Sequence, residues 1–491
     1  LTYSVYLQDQ VNRAGLTEHL SFIGETAEID LVYALSDILL LSSRLDPLPN
    51  VAIDAMYQGL PVLCFDHTTG IADLLKENGL GESCVLPYLD VEQAAQRLVT
   101  LIDQTEERRL LGEKVCEVGR DLFDMQGYVR TLEGLAEEFA VRQDIAKEDF
   151  DLIVQERAID IDFFRPGGWA AFDGSELVCA YLRSWSLGVD RRKPFPGFHP
   201  GLYLEHHGVE QLGRDPLADF LRSGRPAGPW LTELIEPSSP APAQQDGTVR
   251  AALHVHVFFD ELFVGIYERL VRQPLPLDLL ISVPSVEVAG RVAALTREYA
   301  NGFVDIRQVP NRGRDIGPLL TEFGSDILQR YELIGHVHTK KSGHVEDEKM
   351  GQRWFAFLLE NLVGGQSPMA SNILGRMISD ENLGLVFPAD PYVFGWNANR
   401  EIAVGLAREL GIDNLPNEFF NFPLGTMFWA RTRAIEPLLA RQFMWVDYPE
   451  EPLPIDGTML HAIERLLPAI ASHAGYRTAM THVPGVTRRA S

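Results

Sequence analysis

Positive charge is in short supply: 43 Lys and Arg stand against 69 Asp and Glu in 491 residues, a formal net charge of −26. A surface that acidic is repelled by nucleic-acid phosphates and by anionic lipid, which argues against binding either through bulk electrostatics while leaving room for a small basic pocket. Cysteine is scarce too. Cys64, Cys84, Cys116 and Cys179 lie far apart and form no Cys-x-x-Cys pair, so they read as small buried residues of a reducing compartment rather than a disulfide framework or a zinc ribbon. No apolar run reaches the ~18 residues of a membrane span. Nothing at the start reads as a secretory signal, and the lack of any repeat of about 20–50 residues argues against a solenoid.

What is there is a globular composition, 46% apolar and 23% charged, in a chain long enough for two or three domains. The first residue is Leu1 rather than Met and "LTYSVYL" reads as a strand, so a preceding N-terminal part is expected to be missing. Residues 1–145 alternate short apolar runs with amphipathic stretches. "LSFIG", "ILLLSS" and "LPVLCFD" read as buried strands. "NVAIDAMYQG" reads as a helix ended by Gly59, and "DVEQAAQRLVTLID" and "TEERRLLGEKVCEVGRDL" as helices with acidic N-terminal ends. That alternation predicts a parallel α/β sheet. Residues 150–235 are aromatic and turn-rich, and "EPSSPAPAQQDG" (236–247) has linker composition. Residues 248–491 form a second α/β unit with strand candidates "LHVHVFF", "LDLLISV", "VDIRQV", "LIGHVHT" and "LGLVF".

In "SSRLDPLPNVAIDAMYQGLP" a strand ends, a loop follows and a helix begins near Asn50. The unpaired amides at such a helix start suit a diphosphate. Asp46 and Asp54, separated by seven residues, can accept hydrogen bonds from sugar or ribose hydroxyls, although a loop end and a surface carboxylate are the plainer reading of the same spacing. "SRLDPLPNVAIDAMYQGLPVLCFD", with the upstream "SFIGETAEIDLVYALSDILLLSS", resembles the C-terminal half of family 4 GT-B glycosyltransferases over roughly residues 1–140. That family carries two glutamates where this chain has Asp46 and Asp54. The resemblance implies that the first acid touches the donor sugar and the second the nucleotide ribose. The family's acceptor-side domain and the start of its donor domain have no counterpart here, which implies weak nucleotide-sugar binding without catalysis.

"FHPGLYLEHHGVEQLGRDPLADFLRSGRPAGPW" resembles a short helical module found between glycosyltransferase domains of bacterial polysaccharide enzymes; its aromatic and leucine residues are expected to be core. Farther on, "NRGRDIGPLL", "HVHTKKS", "FPLGTMFWAR" and "IDGTMLHAIERLLP" follow in order within about 240 residues and resemble the rhamnan synthesis F family of bacterial glycosyltransferases. The resemblance implies rhamnosyl transfer from a donor such as dTDP-L-rhamnose. Asn311, Gly313 and Asp315 permit a tight turn beside a helix start, and Arg312 and Arg314 can bind phosphate. Strand "LIGHVHT" occupies the place where metal-using relatives carry acidic ligands. His338, Lys340 and Lys341 are therefore expected at the donor, with the lysines neutralising the leaving diphosphate without a metal cofactor. The rival reading takes His254 with His256 and His336 with His338 as metal clasps, since alternate strand residues share a face; buried histidines bonded to backbone are the plain alternative.

A general base must reach the acceptor hydroxyl. Asp456 is the first candidate and Glu451 the second, with Glu450 beside it; the competing role for Asp456 is to cap the helix "MLHAIERLL". Trp429, Arg431 and His461 are expected on the acceptor side, with Glu464 packed beside the site. The whole therefore reads as α/β: a truncated Rossmann-like GT-B donor half, a small helical linker module and a GT-A-like α/β domain. Expected partners are a nucleotide sugar and a lipid-linked glycan acceptor, not nucleic acid, with the protein cytoplasmic and in peripheral contact with the inner membrane face. The alternatives are another hexose donor, or a non-catalytic glycan- or nucleotide-binding scaffold.

Overall fold

The computed structural model describes residues 3–165, 173–208, 213–238, 249–273, 275–339 and 348–486, with side chains from 351 onward in the last stretch. It divides into two compact units, Leu1–Ala140 and Val141–Ser491, and the division falls inside the helix Met125–Gln155. No helix among the described residues is long and apolar enough to cross a membrane.

The first unit is built on three parallel strands in the order β1 (Leu39–Leu41), β2 (Val62–Phe65), β3 (Val85–Leu86). Its helices are Asn50–Tyr57, Gly70–Glu77, Val91–Asp103 and Thr105–Leu122, of which all but Gly70–Glu77 follow the predicted periodicity. Asp90 caps the third by accepting from Gln93 N at 3.0 Å. Two sequence expectations fail. "LTYSVYL" opens the helix Tyr3–Arg13, supported by the Asp9–Arg13 pair one turn apart. "LSFIG" forms no strand: Phe22 and Ile23 are exposed, and no neighbouring strand among the described residues supplies the hydrogen-bond ladder an apolar run needs.

The second unit is an eight-stranded sheet. Its strands are β4 (Glu233–Ile235), β5 (Ala251–His256), β6 (Asp278–Val283), β7 (Val304–Gln308), β8 (Leu333–His338), β9 (Leu383–Pro388), β10 (Phe428–Arg431) and β11 (Arg477–Thr481). The order across the sheet is β4-β11-β9-β10-β8-β5-β6-β7. Every pairing is parallel except those of β10, which runs against both β8 and β9. The other seven strands therefore end on one edge, where parallel sheets present ligand sites. Both faces are covered, as a mostly parallel sheet requires. Ala252, Leu280, Ile334, Phe387 and Phe428 pack on one face beneath helix Met459–His473, and Leu253, Val255, Ile281, Val337 and Trp429 on the other.

The stretch expected to be a separate module is instead built into this unit. Its aromatic core includes Phe419 from the later chain, its Phe163 joins the sheet's own core, and Glu205 accepts from the backbone N–H of Glu418 and Phe419. Lys193 Nζ donates to Asp390 O at 3.0 Å, and β4 adds an edge strand beside β11. Arg376 and Arg477 clasp Glu233 of β4 from neighbouring elements. Residues 239–247 of the expected linker lie outside the described residues.

A fragment beginning at residue 248 loses β4, Phe163 and the aromatic core around Phe419. We expect it to unfold at least about 10 °C below a 141–491 fragment, since several kcal/mol is lost at roughly 2–4 °C per kcal/mol for a domain of this size. Equal melting temperatures by calorimetry would show the 160–235 region to be an independent module after all.

Candidate functional site

Four separate sequence motifs meet at the edge of the second unit where its parallel strands end. The turn after β7 carries Gly313 at φ +75 and Arg314 at φ +49, both left-handed. Glycine is needed at 313, since a Cβ there would lie 2.8 Å from Gly317 Cα and 3.0 Å from the Tyr448 ring. The turn sets Asp315 against the face of β8: its Oδ2 is 3.2 Å from His336 Nε2 and 3.8 Å from His338 Nε2. Burial pushes the Asp315 carboxyl up, but His338 and His336 overcome that and hold it far below the usual carboxylate range.

Arg314 Nε is 3.5 Å from Glu451, whereas Arg312 donates to Tyr448 O at 2.7 Å and so braces the loop that carries Glu451. Asp456 Oδ1 accepts from Asn399 Nδ2 at 2.7 Å and sits 3.4 Å from Arg465 Nη2. Against the upward push of burial, the amide and the guanidinium lower its pKa. The competing cap role falls away, because the residue at the N-cap of Met459–His473 is Thr458. Thr458 Oγ1 pairs with His461 Nδ1 at 2.8 Å. Burial first, then Arg314, depresses His461, opposed by Asp456 and Asp315. Arg314, Asp315 and Asp456 thus all lie within electrostatic reach of His461.

The loop before β10 closes this site. His338 Nε2 is 2.9 Å from Gly425 O, so a ring N–H there donates to that carbonyl. Gly425 N and Thr426 N both donate to Glu464 Oε1, at 2.6 and 3.1 Å, with Thr426 at φ +58. Arg465 stands 3.5 Å from Glu464 and 5.1 Å over the Phe422 ring, so adjacent residues of one helix hold the loop and the candidate base. Glu464 was expected only to pack nearby; Asn399 carried no motif that would have singled it out.

Among the described residues the paired histidines meet one another, Ser282 and Asp315, and only His338 bonds to backbone. His254 Nδ1 meets His336 Nδ1 at 2.9 Å, and Ser282 Oγ lies 3.1 Å from His254 Nε2 and 2.9 Å from His256 Nδ1. Burial holds His254 well below its ordinary pKa and His256 at about 4. Among the described residues no group of three or more His, Cys, Asp or Glu stands in a metal-holding arrangement.

Two expected acceptor residues lie elsewhere. Trp429 is fully buried on the far face, its indole N–H donating to Leu362 O at 2.9 Å, so it offers no face to a sugar. Arg431 donates to Met377 O at 2.6 Å and pairs in register with Leu333, five residues or ~16 Å along β8 from His338. The reason is the reversed direction of β10: it starts, rather than ends, at the site edge. Lys340 and Lys341 lie outside the described residues. In the first unit, Asp46 sits in the loop after β1, its N–H donating to Thr68 O at 2.9 Å. Asn50 opens the following helix, and Asp54 is exposed one turn on, close enough to raise the pKa of the buried Tyr33, where desolvation is the larger cause.

Residues 222–476, a little over half of the chain, match the family described as Rhamnan synthesis protein F, and the chain belongs to that family. Residues 2–117 match Glycosyl transferases group 1. The uncharacterized protein WxcX of Xanthomonas campestris pv. campestris is 28% identical over 268 residues, 53% of this chain and 37% of its own length. The amylovoran biosynthesis glycosyltransferase AmsD of Erwinia amylovora is 28% identical over 115 residues, 23% of this chain and 32% of its own. An uncharacterized glycosyltransferase of Haemophilus influenzae is 29% identical over 102 residues, 20% of this chain and 28% of its own. The chain thus spans about a third of the length of these relatives.

Trp429→Phe keeps the burial but strands Leu362 O, which should cost about 1–3 kcal/mol in denaturant titrations. Substrate KM values should not change; a raised acceptor KM at unchanged stability would return Trp429 to the site.

Proposed function

We propose that the second unit transfers a sugar, a deoxyhexose such as L-rhamnose, from a nucleoside diphosphate donor to a growing glycan carried on lipid. What carries this reading is the convergence of Arg314, Asp315, His338, Asp456 and His461, from three separated motifs, on the edge where the parallel strands end. The family of rhamnan synthesis and the relative named for amylovoran biosynthesis support a polysaccharide context.

In the transfer, the acceptor hydroxyl oxygen bonds to the anomeric carbon as the bond from that carbon to the diphosphate oxygen breaks. The diphosphate leaves with the electron pair, and the acceptor proton passes to Asp456. Asn399 and Arg465 keep Asp456 ionised and ready to take that proton. Arg314, with Lys340 and Lys341 following Thr339 in the chain, meets the charge of the leaving group. No step in this scheme needs a metal cofactor. The first unit binds a nucleotide sugar weakly through Asp46, Asn50 and Asp54. A lipid-linked acceptor places the work in the cytoplasm, at the inner face of the membrane.

Turnover by the full chain, measured across a panel of nucleotide sugars that includes dTDP-L-rhamnose, with a lipid-linked oligosaccharide as acceptor and EDTA present, tests this directly. Transfer is expected to survive EDTA; activity that dies and returns with a divalent ion removes the built-in-cation reading. Donor binding without any turnover would make the chain a scaffold. Asp456→Asn should lower kcat about 10²–10⁴-fold. Asn399→Ala removes a donor that holds the Asp456 carboxyl down, so the acid limb of kcat/KM should move to higher pH. An unmoved limb would assign it to another group.

A further inference from the structure

The scheme above leaves unused a chain of side chains beneath the same edge: His256, Ser282, His254, His336 and Asp315, linked by four hydrogen bonds of 2.9, 3.1, 2.9 and 3.2 Å. His254, Ser282 and His336 are fully buried, His256 is 7% exposed and Asp315 9%. The proton order along the chain follows from its end. An ionised carboxylate only accepts, so His336 Nε2–H donates to Asp315. A neutral His336 then accepts at Nδ1, and His254 must donate there from its own Nδ1. His254 Nε2 is left as an acceptor and takes the Ser282 hydroxyl proton. Ser282 Oγ in turn accepts from His256 Nδ1–H. His256 is thereby left with a lone pair on Nε2.

No described residue meets that nitrogen. His256 ends β5 directly opposite His338 in register, and Asp315 acts on it electrostatically, so it belongs to the same edge as Arg314 and His461. The groups facing it are His254, His336, His338 and Asp315, with Ser282 between. A ring this buried is disfavoured as a cation and cannot turn without breaking its bond to Ser282. Reversing the order takes an extra proton at the Asp315–His336 end: His336 then donates from Nδ1, the three links from there to His256 turn round, and an N–H is left on His256 Nε2.

We propose that this chain is a tautomer lock, holding His256 with its Nε2 lone pair outward to accept a hydrogen bond from an O–H or N–H of the nucleotide-sugar donor. The inference rests on the reading of this unit as a nucleotide-sugar transferase. It makes His256 a recognition residue and Ser282, His254 and His336 positioning residues that never touch the ligand. A site built to accept one hydrogen bond discriminates against ligands that lack the donor group, because the nitrogen is then buried unpaired.

The test uses the full chain labelled with 15N-histidine, and long-range 1H–15N correlations that distinguish ring tautomers, with His256 assigned from a His256→Gln sample. In the free chain at neutral pH, His256 and His254 should carry their protons on Nδ1 and His336 on Nε2. Titration with UDP-, GDP- and dTDP-sugars should move the His256 Nε2 signal for the ligand that is turned over. Ser282→Ala should abolish the single tautomer and raise donor KM about tenfold, the equivalent of one hydrogen bond, with kcat nearly unchanged. Ser282→Thr, which keeps the hydroxyl, should restore much of that loss. A proton on His256 Nε2 in the free chain overturns the lock. Binding that moves His461 but leaves His256 still overturns the recognition role while the transfer reading stands. The same His256 shift with Mg²⁺ or Zn²⁺ alone would make the nitrogen a metal ligand instead. If no nucleotide sugar moves either ring, the transfer reading falls and this inference with it.

Discussion

A carboxylate set against the middle of a sheet is tolerated only if donors answer it, because removing its charge from water without partners costs several kcal/mol. Asp315 is answered by His336 and His338, and much of the second unit's centre is arranged to allow that. The strand register brings His254 beside His336 and His256 beside His338. The turn that delivers Asp315 holds Arg314 in a left-handed conformation that costs a non-glycine residue about 1–2 kcal/mol, and Tyr448 packs over the neighbouring glycines to keep it there. Arg312 ties the same turn to the backbone at Tyr448.

The reversed strand β10 is the other determinant. Because it runs against its neighbours, the loop that feeds it arrives at the ligand edge, and Gly425 and Thr426 come within reach of both His338 and helix Met459–His473. Glu464 and Arg465, adjacent on that helix, then serve different ends. Glu464 fastens the loop through two backbone amides, while Arg465 leans across Phe422 to Asp456. Loop position and candidate base are thereby set by one rigid helix. The aromatic stretch around Phe419 stands just before this loop, which explains how residues 160–235, though remote in sequence, bear on where it sits.

Periodicity made the five parallel strand candidates of the second unit and the main helices of the first legible, because burial on both faces writes a continuous apolar run. Arg314, Asp315, His338, Asp456 and His461 were singled out for a different reason: they stand in motifs that resemble the rhamnan synthesis F family, and their types suit the chemistry. What sequence could not show is direction. Nothing in "TMFWAR" says that the strand is antiparallel, and that alone sends Arg431 to the opposite end of the sheet and Trp429 into the far core. Nor could it show that Ser282, an unremarkable polar residue in "LDLLISV", stands between two histidines, since the contact exists only once β5 and β6 are in register. "LTYSVYL" failed because a short apolar run fits helix and strand alike until its surroundings decide.

The chain from His256 to Asp315 has a consequence for how this sequence can drift. Each member satisfies two neighbours or ends the line, so a single replacement inside it leaves a buried polar atom with nothing to bond. Drift at one position therefore penalises all the others, and relief comes through a second change rather than a reversion in geometry. The five positions amount to one heritable character spread over three strands and a loop, kept whole or surrendered together.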